Sequence, residues 1–92
     1  MRIIKELTLE DIHISIFKME QKFTMKLEWN RMEQVFKFDS RERIEDLDHV
    51  LALIDKSFIQ KIKGTFQFMQ DNRNERLEAV QSLEDEEFPE II

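Results

Sequence analysis

Between Asp11 and Asp39 the chain alternates apolar and polar residues with period two. Ile12, Ile14 and Ile16 share one parity. Phe23, Met25, Leu27 and Trp29 share one after a break, and Phe36 and Phe38 follow. Runs of this kind predict antiparallel strands with one apolar and one polar face. We place three strands at about 11–18, 22–29 and 32–38. Met19-Glu20-Gln21 and Asn30-Arg31 supply the turns, although neither contains the glycine that favours a tight hairpin. Residues 2–9 carry Ile3, Ile4, Leu7 and Leu9 without a clean period, and read as an extended lead-in that could pair with the sheet edge.

After Asp39 the period changes. Ile44, Leu47, Leu51 and Ile54 recur at three- and four-residue steps, and Phe58, Ile59, Ile62, Phe66 and Met69 continue the stripe. One helix over 41–69 would be about 43 Å long, whereas seven-residue strands span only about 23 Å. A break at Asp55-Lys56-Ser57 is therefore expected, giving helices at 41–55 and 57–70 on the same sheet face. Ser57 with Gln60 has capping-box spacing, as Asp39 has with Glu42. Gly64 raises an alternative, a helix end followed by a fourth strand over Thr65–Gln70. Asp71-Asn72-Arg73-Asn74 interrupts the pattern, and Glu75–Leu83 adds a helical turn or two. The expected fold is α+β, a three-stranded antiparallel meander followed by two helices (β-β-β-α-α). It forms one domain over 1–83, with an acidic, disordered tail over 84–92.

Composition changes this picture little and charge somewhat more. The 92 residues have a net charge of −6 and no cysteine. Residues 1–43 carry nine Lys/Arg against eight Asp/Glu, and residues 44–92 carry five against twelve. The acidity thus sits in the helical half, which disfavours nucleic acid and anionic membranes as partners. Without cysteine there are no disulfides and no thiolate metal sites. The N-terminus has Glu6, Glu10 and Asp11 where a secretory leader needs an apolar core, and no apolar run is long enough to span a membrane. These features predict a cytoplasmic protein.

Three segments, "DIHISIFK", "KLEWNRMEQVFKFD" and "DKSFIQKIKGTFQFM", resemble a set of small uncharacterised bacterial proteins of the Bacteroidetes type. The likeness covers about residues 11–69 and rests on core and turn positions. It implies a β-meander followed by helices in an intracellular bacterial protein, and it implies no activity.

Candidate chemistry is sparse. His13 and His49 are the only imidazoles, and Glu45 stands one turn before His49. One His and one carboxylate fall short of a metal site. Gly64 is the only glycine, which excludes phosphate-cradling loops and nucleotide fingerprints. No serine lies in a nucleophile elbow. We expect no enzyme activity, no cofactor and no identifiable small-molecule ligand.

Two surfaces remain. Phe68 lies off the apolar stripe and, with Met69 near Leu77 and Val80, predicts an exposed patch suited to another protein or a second copy of the chain. Phe88, Ile91 and Ile92 behind the acidic run have the form of a short docking motif. On the outer sheet face, Phe17 with Lys26 and Lys37 suggests a platform for single-stranded nucleic acid, opposed by Glu28 and Glu33. The favoured expectation is a non-enzymatic interaction or regulatory domain that self-associates through its helical half. The alternative is a nucleic-acid-binding sheet.

Overall fold

The computed structural model describes residues 1–85. The chain is α+β, but the sheet has four strands: β1 (Arg2–Leu9), β2 (Ile12–Met19), β3 (Lys22–Trp29) and β4 (Met32–Phe38). They form an antiparallel meander in the order β1-β2-β3-β4. The N-terminal lead-in is a full edge strand, which corrects the three-stranded expectation. Its period was hidden by a bulge. The register shifts between Ile3 and Lys5, where Ile3 pairs with Phe17 and Lys5 with Ile16. A bulge inserts one residue and resets the alternation. Ile4 and Leu7, three apart, therefore both pack against the core.

The hairpins close without glycine. Glu10 and Asp11, and again Asn30 and Arg31, have positive φ at both central positions, the combination of a type I′ turn. That turn twists with the strands, and the match outweighs the left-handed strain at non-glycine residues.

The inner face carries the core. Ile12, Ile14, Ile16, Phe23, Met25 and Leu27 are all buried, as the alternation predicts. Cross-strand pairing sets Ile14 beside Leu27 and Ile16 beside Met25. Gln34, also on β4's inner face, is half-buried. Its side-chain amide donates to the Ile62 carbonyl at 3.1 Å, which fastens the edge strand to the helix above.

After β4, Asp39 caps a single 3-10 turn at Ser40–Glu42 with the expected capping box, in which Glu42 accepts from the Asp39 backbone N–H. The two helices that follow differ from expectation in length and place. α1 is short (Leu47–Ala52), capped by Asp46, and buries Val50. α2 runs unbroken from Lys56 to Asp85. The break before it falls where expected, but its cap is Asp55, whose carboxylate accepts from the Phe58 N–H at 2.8 Å. Ser57 lies inside the helix. Position Asp55 precedes the first helical residue, where a side-chain acceptor satisfies an otherwise orphan N–H.

The fourth-strand alternative at Thr65–Gln70 is overturned, because these residues are helical. Gly64 is exposed on the solvent side of α2, and a Cβ built there meets nothing within 4 Å. Gly64→Ala is therefore expected to stabilise the protein by about 1 kcal/mol, the helix-propensity difference, read as a raised urea midpoint. The Asp71–Asn74 segment does not interrupt the helix either. Each poor helix former costs only tenths of a kcal/mol, and the Gln67 side chain donates to Asp71 Oδ1 across one turn at 3.0 Å.

The unbroken helix sets the overall shape. Thirty residues make α2 about 45 Å long, while eight-residue strands span about 27 Å. Only its first half lies on the sheet, through Phe58, Ile59, Ile62, Phe66 and Met69. The rest projects past the hairpin ends, and the longest dimension of the chain is 55 Å. The tail expected over 84–92 lies, from residue 86, outside the described residues, and Phe88, Ile91 and Ile92 lie there with it.

Candidate interaction surfaces

The projecting half of α2 is exposed at every residue from Asp71 to Ser82. Its large apolar members are Leu77, 43% exposed, and Val80, 53% exposed. At about 100° per residue, Leu77 returns to within about 20° of Phe66, and Val80 to within about 40°. Phe66 is buried, with Trp29 at a ring-centroid distance of 5.8 Å. The face that binds the sheet over Ile59–Phe66 thus continues in phase past the sheet's end, where no sheet lies beneath it. Arg73 and Arg76 occupy the same side of the helix, between the covered and the bare apolar residues.

Phe68 is the most exposed large apolar side chain described, at 75%. It stands about 160° from Phe66 around the helix, so it faces away from Leu77 and Val80. Met69 is half-buried and packs against the core. The single patch expected from the sequence is therefore two features. Phe68 is an isolated outward ring, and Leu77 with Val80 is a stripe on the sheet-facing side. The signal that separates them is helical phase counted from Phe66, which required knowing that the helix is unbroken.

Where α2 leaves the sheet, Ile12, Trp29, Lys63, Phe66 and Gln67 enclose a small hollow of about 100 Å³. Lys63 Nζ lies 3.1 Å from Glu10 Oε1 above it, tying the helix to the β1–β2 turn.

The outer sheet face is mixed. Ile3, Phe17, Thr24 and Lys37 form one cross-strand row, and Glu6, Ser15, Lys26 and Val35 form the next. Lys26 lies over the Phe17 ring, 5.6 Å from its centroid, and reaches Glu28 at 3.5 Å. Phe17 and Lys26 thus engage one another, and Lys37 lies one strand further out. In the same cross-strand row as Phe17, Lys37 helps line an open depression of about 410 Å³ with Met1, Phe17, Met19, Lys22 and Thr24. At its margin Arg41 donates to Asp39 at 2.8 Å, and this hydrogen bond holds the Asp39 carboxyl below its usual range.

Neither histidine assembles a site. His13 Nε2 lies 3.2 Å from Glu6 Oε1, and Thr8 Oγ1 lies 3.5 Å from His13 Nδ1, all exposed cross-strand neighbours. His49 Nδ1 accepts from the Glu45 backbone N–H at 3.1 Å, and the His49 backbone N–H donates to Asp46 Oδ1 at 2.9 Å, so the ring engages the backbone and not the Glu45 carboxylate. Among the described residues, no three His, Asp or Glu side chains converge in a way that could hold a metal ion. No described helix is long and apolar enough to cross a membrane.

Comparison with protein-family models, with curated proteins and with solved structures gave no significant match. The likeness to small bacterial proteins accordingly rests on the sequence pattern alone, and the functional reading rests on the surfaces described above.

Proposed function

We propose that this chain is a non-enzymatic interaction module that self-associates through the projecting half of α2. The observation that carries the reading is the phase of Leu77 and Val80. They continue the face that is buried against the sheet at Ile59, Ile62 and Phe66, yet each is roughly half exposed. An amphipathic helix gains its stability by burying such a face, and an isolated polar helix end frays. A second copy carries the same stripe and can cover it.

The two arginines on this side of the helix fit that use. Arginine is enriched at protein interfaces, where it packs through its stem and pairs with carboxylates. The outer sheet face supports the nucleic-acid reading less well. Its one ring is already covered by Lys26, and Glu6, Glu28 and Glu33 share the face with the lysines.

Sedimentation velocity over a concentration series tests the proposal. The wild-type chain should show a concentration-dependent rise towards dimer mass, and Leu77→Asp with Val80→Asp should abolish it. Because both residues are exposed, the thermal melt of the dilute variant should stay within about 0.5 kcal/mol of wild type, as for other surface changes. A wild-type chain that remains monomeric across the series would rule the reading out. So would salt-sensitive oligonucleotide binding lost in Phe17→Ser and retained in the α2 variant.

A further inference from the structure

We propose that the depression on the outer sheet face binds a small organic anion, an apolar body carrying one carboxylate or phosphate. The site is independent of the self-association proposed above, because it lies on the face of the sheet turned away from α2.

The register of the sheet assembles it. Phe17, Thr24 and Lys37 form one cross-strand row, and Met19 and Lys22 form the next, towards the β2–β3 turn. All five line the depression. Thr24 stands in the middle, on the interior strand β3, and is half-buried. It is the shortest of the five, and a short side chain among long ones leaves a hollow. The volume of about 410 Å³ falls within the ~300–1,000 Å³ of small-molecule sites.

Part of the lining is apolar. Lys26 sits over the Phe17 ring but does not line the depression, so Phe17 still presents apolar surface to it. Met19 is 49% exposed beside it, and a flexible thioether adapts well to a flat ring.

Charge commits the occupant to an anion. Lys22 and Lys37 are exposed and stand diagonally across the two rows, within reach of one another's long side chains. Among the described residues neither has a carboxylate within 4 Å. The two carboxylates at the margin are engaged elsewhere. Asp39 accepts from the Arg41 backbone N–H at 3.0 Å, from Nε at 3.1 Å and from Nη2 at 2.8 Å. Glu42 Oε1 accepts from the Asp39 backbone N–H at 3.3 Å. Two ammonium groups thus border a partly apolar hollow, in a chain whose net charge is −6. An anionic group between them attracts both and offsets their mutual repulsion. The same face limits the ligand's size. Further along it Glu28 and Glu33 stand directly opposite each other. A polyanion laid along the strands meets those carboxylates, whereas a ligand confined to the two rows does not.

Amide NMR titration of the full chain tests the site. The probes are 2-naphthoate and 2-naphthyl phosphate, with 2-naphthamide as the neutral match and inorganic phosphate as the bare ion. At least one of the two naphthyl acids should give saturable shifts centred on Lys22, Thr24 and Lys37, with α2 unmoved. The tighter of the two identifies the head group. Lys22→Gln with Lys37→Gln should weaken that binding about tenfold, and 2-naphthamide should bind the wild type about tenfold more weakly. Both lysines are exposed, so the melt of the double variant should match wild type. Lys26→Gln, outside the depression, should retain wild-type affinity. The absence of saturable shifts from both acids would overturn the proposal, and so would unchanged affinity in the double variant. Equal binding of 2-naphthamide would remove the charge argument, and equal binding of inorganic phosphate would remove the apolar one. Either result sinks the proposal. Tighter binding of a single-stranded oligonucleotide through the same amides would overturn the small ligand in favour of a polyanion.

Discussion

Phe66→Ala is expected to destabilise the protein by about 3–5 kcal/mol, while Phe68→Ala, two residues away, leaves stability within about 0.5 kcal/mol. Phe66 is 1% exposed and contacts Trp29, so its removal opens a cavity at the point where α2 leaves the sheet. The neighbouring hollow of about 100 Å³ would merge with that cavity. Truncation costs the transfer energy of the ring plus a cavity term, and here the surrounding strands are held by a four-stranded ladder that cannot collapse into the space. Small domains are marginally stable, so a loss of this size leaves a large unfolded fraction at 25 °C. Phe68 projects from the opposite side of the same helix and contributes little to the folded monomer. Urea melts of the two variants check the pair. Equal losses would mean that the rotational setting of α2 on the sheet is wrong.

Leu27→Ala should cost about 2–5 kcal/mol, against little change for Lys26→Ala. Leu27 is fully buried in the middle of the sheet, paired with Ile14 on one side and Gln34 on the other. The cavity there would sit under α2, beside the amide that Gln34 donates to Ile62. Lys26 faces the other way, over Phe17, and its removal forfeits only a partly exposed cation–π contact and a surface ion pair. Such contacts contribute about 1 kcal/mol or less each. The contrast is largest in chemical denaturation, where the midpoints of the two variants should separate clearly while their slopes stay alike.

The amino-acid sequence by itself determined the inner face of strands β2 to β4. Period-two alternation and burial are the same physical fact there, because side chains on a strand point alternately to two sides and only one side is covered. It also determined the change to helical period after Asp39 and the discontinuity near Asp55. The edge strand was not legible in the same way. A bulge at Ile4 breaks the alternation on which the reading depends, and only pairing with β2 reveals that Ile4 and Leu7 share a core. The cap of α2 was misread for a related reason. Ser57 and Asp55 both offer a side-chain acceptor, and which one caps depends on where α1 stops, a matter of packing around Val50.

The length of α2 was decided by tertiary structure alone. A helix longer than its sheet was expected to break near Asp55 and its second part to end near residue 70. The chain instead continues to Asp85, because poor helix formers at 71–74 cost little once the preceding turns are held on the sheet. That continuity is what carries the candidate site. The sequence placed Phe68, Met69, Leu77 and Val80 near one another along the chain. Only the unbroken helix, with Phe66 locked against Trp29, sends Phe68 to one side, buries Met69 in part, and leaves Leu77 and Val80 as a bare extension of the face that folds the protein.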